Sequence, residues 1–213
     1  MAAFERTEYD KLKEILYPYE WGMKTMLTKL SILQENLAKF QDNSAIDHIR
    51  SRIKDSKSIA NKLEKLGLAI TAENVKQHLQ DIAGIRIICP YTRDITFLAE
   101  QIRNMPEITI TKEKDYVTYP KESGYRSHHM IVEVPVFIGE TLTHVPVELQ
   151  LRTEAMNFWS TLEHKARYKY QNNVPSHLSD ELSHIALQIA DLDNRMFLIH
   201  ELISMVNSDL SGS

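Results

Sequence analysis

The sequence predicts an α/β (α+β) fold, a small mixed β-sheet of about five strands surrounded by helices, with helical extensions at both ends. Three observations predict it. Apolar residues recur at helical spacing through the first forty positions and again from 179 to about 206. Between these stretches, runs rich in Val and Ile at 85–89, 108–112, 130–138 and 144–153 have the character of strands. The order is helices, then strand-helix-strand-strand-strand, then helices, which packs most simply as one sheet with helices around it. A chain of 213 residues suffices for one well-cored domain. The expected organisation is a helical extension over 1–43, a core over 44–172 and a C-terminal helix over 176–208.

Taken in order, Met23, Met26, Leu27, Leu30, Leu33 and Leu37 mark a long helix, with Pro18 expected to separate a shorter one before it. Asn43-Ser44, with Asp47 following, reads as the cap of a helix running to Leu66 and stopped by Gly67. Thr71-Ala72-Glu73 starts a short helix ending near Leu79. Ile85-Arg86-Ile87-Ile88-Cys89 is a strand ended by Pro90, 93–104 a helix and Ile108–Lys112 a strand. Met130–Ile138 and His144–Thr153 are strands joined across Gly139-Glu140. Glu154 to about Tyr170 is helical, Asn172-Asn173-Val174-Pro175 breaks it, and Ser179 caps the last amphipathic helix, followed by a frayed Ser/Gly tail.

Composition excludes several classes of protein. The net charge is -4 and the pI about 6.1, unlike a general nucleic-acid binder. The single cysteine, Cys89, permits no intrachain disulfide and reads as a buried thiol. The first nineteen residues are charged throughout, and no run of about 18 apolar residues suggests a membrane span. A cytoplasmic location is the expectation.

Five clusters carry the chemistry. Lys121-Glu122-Ser123-Gly124-Tyr125-Arg126-Ser127-His128-His129 places cations, hydroxyls, imidazoles and one Gly in a loop feeding a core strand, where function commonly sits. On 144–152, alternation puts Val145, Val147, Leu149 and Leu151 on one face and Glu148, Gln150 and Arg152 on the other. A carboxylate there could hold Mg²⁺ or take a proton from a hydroxyl. Asp81, before a strand bearing Arg86, offers a second carboxylate, though alone it could equally be a cap. Arg52, Lys54 and Lys57, with Ser58, Lys62 and Lys65 spaced i, i+4, i+7, form a local basic patch suited to polyphosphate. The plainer reading of that patch is a solvated helix face. Asn157, Thr161 and His164 share a helix face, with Glu163 beside them. There is no Gly-rich phosphate loop, so any nucleotide would be held by side chains. The histidines lack zinc spacing.

Together, and in this order, Ser51-Arg52-Ile53-Lys54, Asp81-Ile82-Ala83-Gly84-Ile85-Arg86, Lys121 to His129, Val147 to Thr153, Ala155-Met156-Asn157-Phe158-Trp159 and Glu163-His164 resemble the synthetase domain of the RelA/SpoT family. In particular the chain resembles the small alarmone synthetases, over roughly residues 15 to 200. The resemblance implies transfer of the β,γ-pyrophosphate of ATP to the ribose 3′-OH of GDP or GTP, giving AMP and (p)ppGpp. It also implies roles. Arg52 and Arg86 sandwich adenine, and Lys54, Ser58, Lys62 and Lys65 hold the ATP phosphates. Asp81 and Glu148 bind Mg²⁺, and Glu148 also serves as base. Tyr125 stacks on guanine, Asn157 reads that base, and Lys114 and Lys121 contact acceptor phosphates. Arg126, His129, Gln150 and Glu163 support the site.

The chain has no His-Asp dipeptide of the family's hydrolase domain, so synthesis without hydrolysis is expected. Leu27 and Ser31 stand where one branch has activating lysines, which leans the resemblance toward the other, RelP-like branch. Relatives imply a homotetramer formed through the terminal helices. Two rival readings stay open, a nucleotide-binding regulator without chemistry and an RNA-binding or helical scaffold built on the patch from Arg52 to Lys65. RNA thus remains open as a partner; DNA and membranes are not expected.

Overall fold

The structure, a computed structural model, describes residues 2–40, 44–170 and 173–211. Among the described residues, six helices and five strands follow in chain order. They are α1 (Ala2–Phe40), β1 (His48–Ile53), α2 (Ser56–Lys65), α3 (Ala72–His78), β2 (Ala83–Cys89), α4 (Thr92–Arg103), β3 (Thr109–Asp115), β4 (His128–Ile138), β5 (Thr141–Thr153), α5 (Glu154–Lys169) and α6 (Ser176–Ser211). The strands form one sheet in the order β1-β2-β5-β4-β3. Only β2 and β5 run parallel; β1–β2, β5–β4 and β4–β3 are antiparallel. The mixed sheet expected from the sequence is the fold found.

Alternation decides what each face does. Ile85, Ile87, Val147, Leu149, Leu151, Met130 and Val132 are fully or almost fully buried on the apolar side. Helix α1 packs across β2, β4 and β5 there, burying Tyr19, Met26, Leu30 and Leu37. It comes close because position 22 is glycine: a Cβ on Gly22 would lie 3.1 Å from Val145. Cys89 is buried as expected, and desolvation pushes its thiol well above the usual range.

Three element predictions need correction. The helix expected from Ser44 to Leu66 is instead a strand followed by a shorter helix. Ile49 and Ile53, four apart, fit a helical period, but here they belong to β1, which pairs with β2 from His48↔Ile88 to Ile53↔Ala83. The true N-cap is Asp55, whose carboxylate accepts from Ser58 N at 2.9 Å. Asn43 lies outside the described residues. Pro18 does not divide α1, which runs through it. A proline within a helix costs about 3 kcal/mol, and the long apolar face of α1 against the sheet offsets it. Finally, α6 starts at Ser176, with Pro175 O accepting from Leu178 N and Ser179 N, so Ser179 is already inside the first turn. Asn172 and the final Gly-Ser lie outside the described residues. Gly139-Glu140 does form the tight link between β4 and β5.

Candidate active site

The other face of the sheet is largely polar, because most alternate residues around its centre are charged or amide side chains. Register aligns Arg52, Gly84, Glu148, Ile131 and Lys112 in one row across the sheet. The next row is Arg50, Arg86, Gln150, His129 and Lys114. Carboxylate and amide thus occupy the central strand, arginines one edge and lysines the other.

The two predicted carboxylates face one cavity of about 530 Å³, which Lys62, Lys112, Lys114 and Lys121 also line. Asp81 lies between the end of α3 and β2. Its oxygens accept from Lys54 Nζ at 2.6 Å and Lys62 Nζ at 3.0 Å. Burial would raise its pKa, but the two lysines outweigh that and hold it below the ordinary carboxylate range. Glu148 is more enclosed. Burial again pushes upward, yet His129 Nδ1 at 3.3 Å and Gln150 Nε2 at 2.9 Å bring its pKa below the usual value. Both groups are therefore ionised at neutral pH.

A second cavity, about 700 Å³, opens on the arginine side and contains Arg52, Arg86, Tyr125, Gln150, Arg152 and Glu163. Lys121 lines both cavities. Burial first, then the charges of Arg152 and Arg52, lower the pKa of Arg86. Its Nη1 donates to Asn157 Oδ1 at 3.0 Å, while its buried Nε has no partner among the described residues. A cluster of arginines with an unsatisfied donor suits an anionic or aromatic ligand.

The loop before β4 is held as a tight turn. Gly124 N donates to Lys121 O at 2.8 Å, and Lys121 N to Tyr125 O at 3.2 Å. Gly124 has φ +83°, and a Cβ there would meet Ala186 of α6 at 2.4 Å. Only glycine fits this position. The turn sets the Tyr125 ring beneath Lys121 Nζ, 4.8 Å from the ring centre. Lys121 stands equally over Tyr116, at 4.7 Å.

Most predicted residues converge here; Lys54 and Asn157 line neither cavity but bond to Asp81 and Arg86, which do, and three others lie further out. Lys65 is exposed in the last turn of α2 and lines neither cavity. Ser58 also lines neither, and its hydroxyl donates to Asp55 at 2.6 Å. Arg126 donates twice to Val117 O, at 3.2 and 3.0 Å, bracing the loop from outside the cavities. Glu163 lines the arginine cavity and pairs with Arg167. Sequence reasoning missed Lys112, Tyr116 and the catalytic-face role of Arg152. Alternation with Lys114 could have found Lys112, and alternation with Glu148 and Gln150 could have promoted Arg152. Nothing local marks Tyr116.

Among the described residues no group of three or more His, Cys, Asp or Glu side chains converges to hold a metal. Two ionised carboxylates on one cavity nevertheless fit a hard divalent cation that completes its shell with water or phosphate oxygens. Among the described residues no helix is long and apolar enough to cross a membrane.

Comparison with known proteins identifies relatives along most of the chain. The chain is 39% identical to the GTP pyrophosphokinase YwaC of Bacillus subtilis (strain 168) over 191 residues, 90% of this chain and 91% of that one. The structure of small alarmone synthetase 1 from Bacillus subtilis bound to its product pppGpp superposes with a TM-score of 0.83 at 32% identity, covering 92% of this chain and 99% of that one. Small alarmone synthetase 2 from the same organism gives 0.80 at 38% identity, covering 90% and 98%. A family model described as the region found in RelA/SpoT proteins matches residues 51–173, and the chain belongs to that family.

Proposed function

We infer that this chain is a (p)ppGpp synthetase, a GTP pyrophosphokinase that moves the β,γ-pyrophosphate of ATP to the 3′-OH of GDP or GTP. The observation that carries the reading is Glu148, an ionised carboxylate on the central strand, between an arginine cavity and a lysine cavity joined at Lys121. Two nucleotides need two sets of cations, and the transfer needs a proton acceptor between them.

The residues divide the work. Arg52 and Arg86 take the adenine of ATP, and Lys54 and Lys62 its phosphates, with Ser58 and Lys65 as outer contacts. Tyr125 takes the guanine, Asn157 its edge, and Lys114 and Lys121 the acceptor phosphates. Glu148 accepts the 3′-OH proton as the oxygen forms its bond to the β-phosphorus. The bond from that phosphorus to the oxygen on the α-phosphorus breaks, and AMP leaves with the oxygen. No covalent nucleophile is required, because positioning and charge neutralisation supply most of the catalysis. Asp81 and Glu148 would hold Mg²⁺, which when bound supplies further neutralisation of the transferred group. His129, Gln150, Arg126 and Glu163 support these groups. The lean toward the RelP-like branch, the cytoplasmic location and the homotetramer belong to the same proposal.

Incubation of the protein with labelled ATP, Mg²⁺ and GDP or GTP, followed by nucleotide separation, tests the reading. AMP and a guanosine carrying the transferred label are expected in equal amounts. Nucleotide binding without AMP release would leave a regulator, and salt-dependent RNA binding without AMP release a scaffold.

A further inference from the structure

Arg152 is 3% exposed, so its guanidinium is committed to protein partners. Nε donates to Ser127 Oγ at 3.1 Å and Nη1 to Ser160 Oγ at 2.8 Å. Nη2 is shared between the Tyr125 hydroxyl at 2.5 Å and Gln150 Oε1 at 3.0 Å. From Tyr125 the chain of contacts runs to His129 Nε2 at 2.7 Å, and from His129 Nδ1 to Glu148 Oε1 at 3.3 Å. From Gln150 it runs to Glu148 Oε2 at 2.9 Å. The two arms meet on the same carboxylate and close a ring of five side chains.

We propose that Arg152 is a positioning residue that locks the Tyr125 platform and the Glu148 carboxylate into one unit through this closed ring. The proposal rests on the synthetase reading for its catalytic consequence. Proton bookkeeping fixes the direction of the ring. Arginine only donates, so the Tyr125 hydroxyl accepts from it. An ionised carboxylate only accepts, so the proton between His129 and Glu148 sits on Nδ1. In the neutral imidazole Nε2 is then an acceptor, and the Tyr125 hydroxyl donates to it. Gln150 is oriented likewise, its oxygen toward Arg152 and its amide toward Glu148. Each donor thus has one acceptor, and Glu148 is held at both oxygens by groups that Arg152 sets. The ring ties the guanine platform to the base: displacement of Tyr125 is felt at Glu148.

The ring separates two properties of Tyr125, its aromatic face and its hydroxyl. Tyr125→Phe keeps the face and opens one arm. The expected result is a fall in kcat of about tenfold, from misplacement of the base, with acceptor KM within about twofold of the parent. Arg152→Met opens both arms and is expected to lower kcat further. In the double variant the losses fall short of multiplying, since the arm that Tyr125→Phe opens is already cut at its Arg152 end. Multiplying losses, or an unchanged kcat in Tyr125→Phe, would overturn the proposal. A second measurement needs no nucleotide and no folded Arg152 variant. The ¹⁵N spectrum of His129 in the unsubstituted protein should show the neutral ring protonated at Nδ1. Protonation at Nε2 would break the ring's direction and sink the idea. Absence of AMP release by the unsubstituted protein would instead count against the synthetase reading and leave the spectrum to judge the ring.

Discussion

At Glu148, burial and hydrogen bonding pull in opposite directions, and hydrogen bonding wins. The carboxylate is therefore ready to accept a proton without a preceding ionisation. Glu148→Gln keeps size and the bond to Gln150 but removes proton affinity. Nucleotide binding should persist while synthesis falls by at least about a hundredfold, the usual scale for a lost general base; near-parent AMP release in a turnover assay would remove Glu148 from that role. Tyr125→Ala removes both ring and hydroxyl. Base stacking contributes about 1–3 kcal/mol, so acceptor KM should rise by about tenfold or more with ATP KM little changed. A rise confined to ATP would assign the ring to the donor. These residues were legible in the sequence because strand alternation alone gathers Glu148 and Gln150, and places Arg86 on the matching face of β2. Arg152 was on that face too, but its importance lies in partners from the β4 loop and α5, which no spacing within β5 reveals. Lys65 shares a helix face with Lys62, but only Lys62 reaches Asp81.

Among the elements, β1 was the one the sequence concealed. Ile49 and Ile53 satisfy a helical period as well as a strand, and only pairing with β2 settles the matter. The misreading moved Arg52 from a strand to a helix, yet left it near the basic patch. The helix stops and starts around Gly67, Thr71 and Thr153 were legible because capping is local chemistry; Thr71 and Thr153 accept from Asn74 N and Met156 N at 3.2 Å each. The contact between α6 and the loop at Gly124 is not local, and it has a consequence. Gly124→Ala must both strain a left-handed backbone and collide with Ala186. Strain of this kind costs about 1–3 kcal/mol, and the loop bearing Lys121 and Tyr125 must shift away from α6. Acceptor KM should rise more than ATP KM, and Ala186→Gly in the same chain should recover the steric part only. Full recovery would show that the backbone dihedral is unimportant; no recovery would show that Ala186 does not form the wall.

On the scale of the whole molecule, α6 has two unlike faces. One touches the rest of the chain: Trp159 Nε1 donates to Leu182 O at 2.8 Å, Thr153 Oγ1 to Asp193 at 2.7 Å, and Arg93 Nη1 to Glu201 at 2.7 Å. The other carries Leu192, Met196, Ile199, Ile203 and Val206, each at least half exposed. Their spacings of four, three, four and three residues are those of a coiled-coil seam. Such a stripe is costly to leave in water, since a fully buried aliphatic side chain contributes about 1.5–3 kcal/mol. Self-association along this seam is the economical way to cover it, and it agrees with the proposed homotetramer. Because α6 also backs the Gly124 turn, the same helix would join assembly to the acceptor loop. Replacing Ile199 and Ile203 together by Glu puts charge into the seam while touching neither cavity. Light scattering should then give a smaller particle than the parent, with far-UV circular dichroism unchanged. A parent that already scatters as a 24.7 kDa monomer would leave the stripe without this partner, and an undiminished mass in the double variant would move the interface elsewhere.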